Sequence, residues 1–344
     1  MVDMSSDNFI LRIKSYKGEY AVRESNTVPE YKYYIIDKQV HAIYRGIHNL
    51  PRERVLLLDA NELTKSFENI HTIIDWLIDN KIRRNDTVCV IGGGTIQDAS
   101  SFALSIFKRG IQWVYVPTTL LAQADSCIGS KTSINYKGYK NQIGTFYPPN
   151  EVIINTNYLT TLTRIDILSG IGEILKIHLI GGYDIAEIRE KIDNHEWKSL
   201  IRSSLKIKSE YIEKDEFDYG IRKMLNYGHT FGHALESMSN YTIPHGIAVM
   251  IGIMASNHIA YSWGYLTDLY HEINSILKNY IPKEMLEKAK QLISSPNISY
   301  FLQDKKAANR RIALIIMTSP GNMKLDYISA RDVVEYGKSM LRYW

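Results

Sequence analysis

Four polar residues, Arg222, Asn226, His229 and His233, recur at spacings of four, three and four. On one continuous α-helix that spacing sets all four on a single face. A core-facing stripe normally carries Leu or Ile. This one carries a guanidinium, an amide and two imidazoles, a set suited to holding an anion beside a metal ion. A second pair, Glu173 and Lys176, lies in the otherwise apolar segment Ile171-Gly-Glu-Ile-Leu-Lys-Ile177. Spacing alone allows a surface salt bridge there, but the surrounding Ile and Leu favour a pair turned into a cleft. His245-Gly246 follows Pro244 at the head of a further helical stretch. Glu173, His229 and His245 together make a Glu-His-His zinc set. Three protein ligands leave one position open for substrate, as catalytic zinc requires. The three come from separate segments, so no short zinc motif supports them.

Gly92-Gly93-Gly94 follows an apolar run and opens a helical one. Glycines let a backbone approach a pyrophosphate, and a helix N-terminus offers bare N–H groups. The G-x-G-x-x-G pattern is absent, so a plain tight turn fits as well. Asp98, one turn on, is placed either to cap locally or to meet a ribose or nicotinamide group. Asp125 lies in Thr118-Thr119-Leu-Leu-Ala-Gln-Ala-Asp125. Lys131 and Lys140-Asn141 stand among Gly, Ser, Thr and Asn in 129–144, which suits a polar, anion-accepting loop but, taken alone, reads more simply as a solvated surface loop.

Two kinds of layer must position these groups. Residues 9–14 and 18–23 alternate around Lys17-Gly18, an opening hairpin. Apolar runs at 33–37, 55–59, 87–91, 113–116 and 152–154 read as strands, with helical patterns over 64–80 and 95–108. Strands alternating with helices predict an α/β layer with a mostly parallel sheet. From about residue 160 long helical patterns dominate: 166–180, 196–214, 220–238, 246–263 and 266–278. A late hairpin is expected around Ser319-Pro-Gly-Asn322. The expected architecture is α/β: residues 1–160 form a Rossmann-like, parallel-sheet nucleotide domain, and 161–344 a mainly α-helical metal- and substrate-binding domain. A ligand is expected in a cleft between such layers.

The chain of 344 residues, 45% hydrophobic and 23% charged, has ordinary globular composition. A net charge of +4 lacks the basic tracts of a nucleic-acid binder, but helps attract an anionic substrate. Cys89 and Cys127 sit in or beside apolar runs and read as buried thiols in a reducing compartment. No signal-peptide pattern and no apolar run of membrane length is present. The expectation is a cytoplasmic protein with no membrane partner.

Taken in order, these segments resemble 3-dehydroquinate synthase and its sugar-phosphate cyclase relatives. The resemblance runs from about Asp59 to Lys306. It is carried by Glu62-Leu-Thr-Lys65, Gly92-Gly-Gly-Thr-Ile-Gln-Asp98, Arg109-Gly110, Pro117-Thr-Thr-Leu-Leu121, Asp125-Ser126, Lys131-Thr132 and Lys140-Asn141. It continues through Glu173-Ile-Leu-Lys176, Lys208, Asp215-Glu216, the Arg222–His233 stripe, His245-Gly246 and Asp304-Lys305-Lys306. The resemblance implies zinc (or cobalt) on Glu173, His229 and His245. It implies NAD on Glu62, Lys65, Gly93, Gly94, Asp98, Thr118, Thr119 and Lys140. Asp125, Lys131, Asn141, Lys176, Lys208, Arg222, Asn226, His233 and Lys306 are implied to line the substrate pocket. Arg109 is an implied anion contact from a partner subunit, the family being commonly dimeric.

The implied reaction is a lyase cycle with no net redox change. A substrate hydroxyl polarised by the metal is oxidised by NAD, and the ketone acidifies the neighbouring C–H so that phosphate leaves. The hydride then returns, and the opened ring closes as a carbocycle by an aldol step. Lys131, Lys208, Arg222 and Lys306 neutralise phosphate and carboxylate; His233, assisted by Asn226, moves protons. The substrate so implied is 3-deoxy-D-arabino-heptulosonate 7-phosphate. Several positions depart from the quinate pattern. Gln97 stands for Gly before Asp98, Ser130 for Gly, Ser133 for Ala, and Thr163-Arg-Ile-Asp166 for Pro-x-Arg-Glu. Ile247 stands for the Glu that follows His-Gly, a supporting position beside a ligand. They leave open a related cyclase acting on sedoheptulose 7-phosphate or glucose 6-phosphate, a metal-dependent polyol dehydrogenase, and a homologue that has lost activity.

Overall fold

The computed structural model describes residues 9–44, 50–137, 139–266, 268–294 and 311–343. The chain divides into two compact units, Met1–Leu162 and Thr163–Trp344.

In the first unit the strands are β1 (Ile10–Ser15), β2 (Gly18–Glu24), β3 (Tyr33–Asp37), β4 (Val55–Leu58), β5 (Thr87–Gly92), β6 (Gln112–Pro117), β7 (Lys131–Tyr136), β8 (Tyr139–Phe146) and β9 (Glu151–Ile154). Among the described residues the main sheet runs β1-β2-β9-β6-β5-β3-β4. Within that sheet, as described, the β1–β2 hairpin is antiparallel and the other pairings are parallel. β3 has β4 on one side and β5 on the other, so the chain reverses its travel across the sheet there. That switch point is where α/β sheets bind ligands, beyond the strands' carboxyl ends. The central strands are fully buried because their residues are apolar on both faces: Ile35, Ile36, Val88, Val90, Val114 and Val116. Helices α2 (Phe67–Asp79) and α3 (Gly94–Ile106) belong to this unit, as does the short α1 (Lys38–Ile43).

The polar stretch 129–144, expected as a loop, is instead the antiparallel hairpin β7–β8. Thr132 and Ile134 are buried while Lys131 is exposed, so the strand does alternate. Its inward Thr132 is polar, its hydroxyl 2.9 Å from that of Thr145, so hydrophobic periodicity does not reveal it.

In the second unit, α4 (Arg164–Ile180), α5 (Ile185–Asp193), α6 (Trp197–Lys214), α7 (His229–Met238), α8 (His245–Ser262), α9 (Tyr270–Asn279) and α10 (Lys283–Ser294) precede the hairpin β10 (Arg311–Ser319) and β11 (Asn322–Ser329) and a last helix, Ala330–Met340. α5, α10 and the last helix lie outside the helical patterns read from the sequence. Thr163 caps α4, its hydroxyl accepting from the Asp166 N–H at 3.2 Å. α8 is buried from Gly246 to Ala260, as a helix apolar on all sides must be. No helix of the described residues is long and apolar enough to cross a membrane. Cys89 and Cys127 are buried thiols, neither in a disulfide.

The continuous helix expected over 220–238 is broken. Ile221–Asn226 is a 3-10 segment, Tyr227 is non-helical, and α7 starts only at His229. Gly228 between them has a φ of +78°, and a Cβ there would come within 2.7 Å of the Val249 carbonyl. Only glycine takes that conformation cheaply. Arg222 and Asn226 therefore do not share a helix face with His229 and His233.

Candidate metal centre and cofactor face

Glu173 lies midway along α4, while His229 and His245 are the first residues of α7 and α8. These helices meet through glycine. A Cβ on Gly172 would fall 2.2 Å from the Gly246 carbonyl oxygen, and one on Gly246 would fall 1.8 Å from that of Ser169. One on Gly252 would fall 1.9 Å from the Gly228 carbonyl oxygen. The Gly246 N–H donates to Ser169 Oγ at 3.0 Å. Backbone contact at these crossings carries the neighbouring residues 173, 229 and 245 together.

Nε2 of His245 stands 3.3 Å from Glu173 Oε1, and Nε2 of His229 stands 3.9 Å from the same oxygen. All three donor atoms lie within 4.8 Å of one another. Two donors bound tetrahedrally to zinc at its usual bond lengths stand about 3.3 Å apart, so the set fits such an ion. Burial lowers His229 well below the ordinary histidine value, helped by Lys176, His233 and His245. It is therefore neutral, and its Nδ1, 3.1 Å from the Tyr227 carbonyl, must carry the proton because a carbonyl only accepts. That leaves the Nε2 lone pair facing a carboxylate oxygen, an arrangement a cation resolves. His245 differs. Burial opposes its charge, but Glu236 and Glu173 outweigh burial and push it up to about 10.

Around this set, Lys176 is buried and ion-paired with Glu173. Lys208 on α6 and Arg222 on the 3-10 segment are also buried, and α4, α6 and that segment pack on one another. Cations are seldom buried without an anionic purpose. Arg222 donates to the Glu216 carbonyl. Its loop is folded around Asp215, whose carboxylate accepts from the N–H groups of Tyr219, Gly220 and Arg222 at 2.9, 2.7 and 3.0 Å. Slight burial works against that carboxylate, yet these N–H groups hold it below the usual range. His233 is exposed, its ring 5.1 Å from that of His229 and 5.8 Å from that of His245. Asn226 is half-buried at the end of its segment. Lys306 lies outside the described residues.

The first unit carries a second polar set. Buried Lys65 pairs with Asp98 at 2.8 Å and donates to Asn141 Oδ1 at 2.9 Å. Ser133 Oγ is 3.3 Å from Asp98 and 2.9 Å from Asn141. Asn135 donates to Glu62 at 2.8 Å, and Lys140 lies 3.8 Å from Glu62. Asn141, expected with the substrate group, thus sits with residues expected to hold the nucleotide. Gly93 caps α3 and Gly94 begins it; a Cβ on Gly93 would meet Thr119 Cγ2 at 2.9 Å. Thr118 donates its N–H to the Gly92 carbonyl, and the Thr119 hydroxyl accepts from Ala122 N–H at 3.2 Å. Asp125 lies in a π-helical turn, Ala122–Ser126, a form concentrated at functional sites. Gln97 exchanges two hydrogen bonds of 2.8 Å with Ser126, which accounts for its departure from glycine: it ties α3 to that turn. Arg109 is exposed on a tight turn with a φ of +62°. Lys131 is exposed at the start of β7.

The groups that sequence reasoning missed are partners of partners: Glu236 on His245, the Tyr227 carbonyl on His229, Asp215 under Arg222, and Ser133 and Asn135 on the hairpin. Asp215 carries a signal within the Asp215-Glu216 motif, and Glu236 carries one three residues beyond His233.

The family model for the 3-dehydroquinate synthase N-terminal region matches residues 55–169, and the C-terminal one matches 170–307. The 3-dehydroquinate synthase of Dictyoglomus turgidum is 35% identical, over 86% of this chain and 87% of its own. Among solved structures, 2-deoxy-scyllo-inosose synthase, complexed with carbaglucose-6-phosphate, NAD+ and Co2+, superposes with a TM-score of 0.77 at 18% identity. The match covers 96% of this chain and 99% of that one. A 2-epi-5-epi-valiolone synthase from Streptomyces hygroscopicus, with NAD+ and Zn2+ bound, gives 0.76 at 20% identity, covering 94% and 97%. These two share the fold. With both family models matched in order over most of its length, the chain belongs to the 3-dehydroquinate synthase family.

Proposed function

We infer that the protein is a carbon–oxygen lyase that eliminates phosphate from 3-deoxy-D-arabino-heptulosonate 7-phosphate and closes the ring to 3-dehydroquinate. The observation that carries this reading is the Glu173–His229–His245 donor set, with buried Lys176 ion-paired to Glu173 and the buried cations Lys208 and Arg222 on elements packed against α4. A divalent ion of the zinc or cobalt class would supply Lewis acidity there, and NAD a reversible hydride acceptor. Lys176 pairs its charge with Glu173. Lys208 and Arg222 bind the substrate's phosphate or carboxylate, with Asp215 holding the Arg222 backbone in place. His233, exposed beside His229, takes and returns protons, with Asn226 orienting the substrate. In the first unit, Lys65, Asp98, Glu62 and Lys140 contact the ribose and nicotinamide side of NAD. Gly93 and Gly94 open the α3 N-terminus to its pyrophosphate. The protein acts in the cytoplasm as a homodimer, in which Arg109 of one subunit contacts the substrate anion bound by the other.

Incubation with the heptulosonate phosphate, NAD and Zn2+ should release phosphate stoichiometrically while NADH rises only transiently. Lasting NADH with an alcohol, or no phosphate, would sink the reading. Ile247 favours one second reading, a cyclase for a neutral sugar phosphate. Phosphate release from sedoheptulose 7-phosphate or glucose 6-phosphate, and none from the heptulosonate, would select it.

A further inference from the structure

His245 is held from both sides. Its Nε2 faces Glu173 of α4, and its Nδ1 lies 3.1 Å from Glu236 Oε2 of α7. Glu236 is buried, and its own backbone is anchored: its carbonyl accepts from Ser239 Oγ at 3.0 Å and from Tyr241 N–H at 2.8 Å. Ile247, two residues past His245, is fully buried and apolar, so it offers the imidazole no acceptor. We propose that Glu236 is the positioning residue of the metal centre, holding the Nδ1 proton and ring plane of His245 so that Nε2, once an ion replaces its proton, presents its lone pair beside Glu173.

This role for Glu236 rests on the metal reading given above. An imidazole ligates through Nε2 only when Nδ1 carries its proton, and an acceptor on Nδ1 enforces that state. A carboxylate acceptor also raises ligand basicity, which a neutral carbonyl does less. The two histidines are thus supported unequally. His229 leans on the Tyr227 carbonyl, and His245 on a charge. Among the described residues, Glu236, His233 and His245 also offer donor atoms within 4.8 Å of one another. Glu236 as a direct ligand is therefore the rival that the experiment must separate.

The test titrates Co2+ into metal-stripped full-length protein, reading the d–d absorption band and competition with a chelator of known affinity. The unmodified protein, Glu236→Gln, Glu236→Leu and His229→Ala are compared. Glu236→Gln keeps an acceptor without charge and should bind about tenfold more weakly; Glu236→Leu should bind about a hundredfold more weakly. Both should keep a single ion and the unmodified band position, while His229→Ala binds none. In the zinc-loaded protein the ¹⁵N-bound Nδ1 proton of His245 should shift upfield in Glu236→Gln. Unchanged affinity in both Glu236 variants overturns the proposal alone. Loss of all binding in Glu236→Gln makes the residue a ligand and also overturns it. No ion in the unmodified protein overturns the metal reading itself. Should Glu236→Leu fail to fold, Glu236→Gln, with an unchanged melting temperature, decides.

Discussion

The polar set of the first unit and the donor set of the second are built by opposite means. On the first, Lys65, Asp98, Asn141, Glu62 and Asn135 bond to one another. They stand on a 3-10 turn, a helix and a hairpin, with Asn141 exposed and Glu62 half-buried. Their geometry comes from mutual hydrogen bonds laid over a rigid parallel sheet. On the second, two imidazole nitrogens crowd one carboxylate oxygen. Their geometry comes from helices in backbone contact at Gly172, Gly246, Gly228 and Gly252. A bonded network loses strength one bond at a time. A packed crossing has no slack, because interiors are close-packed and a single methyl must displace backbone.

Substitutions in the two sets should therefore fail differently. The largest effect is expected at the donor set. His229→Ala should lose metal and activity together, whereas His233→Ala should keep metal and lose about 10²–10⁴-fold in rate. Metal analysis beside turnover checks this, and equal zinc in both variants would dissolve the division of roles. Next comes the crossing. Gly246→Ala should destabilise the protein by about 1–3 kcal/mol or more by overpacking and lower its metal content, although no ligand is touched. Thermal melts and metal analysis read it; a variant with the native melting temperature and full metal would show that α8 can slide. The smallest effect is expected in the network. Asp98→Asn removes a charged partner of Lys65 but keeps an acceptor, so NAD should bind about tenfold more weakly with metal content unchanged. Calorimetric titration of NAD checks it, and undiminished affinity would take Asp98 out of the cofactor face.

Legibility in the sequence followed the same divide. Strand β3 and the opening hairpin were readable because period and punctuation are local properties. So was the glycine turn after β5. The donor set Glu173, His229 and His245 was nameable from residue types and from family resemblance. The hairpin β7–β8 was not readable, because its inward face mixes Thr132 with Ile134. The single helix expected over 220–238 failed at Gly228, since helix-forming neighbours say nothing of the carbonyl that Val249 presses against that position.

The sequence by itself determined the α/β-then-helical order, the residue types available for metal, anion and nucleotide, and through their order the family. Tertiary structure alone decided which groups meet. It split the polar stripe into a 3-10 segment and a helix, and moved Asn141 to the side of Lys65. It also gave His245 the carboxylate of Glu236 where the chain offers only Ile247 nearby. The physical reason is range. Propensity and periodicity act within a few residues, whereas a crossing between helices seventy or so positions apart is set by which backbones can touch, and here glycines on facing helices set that distance.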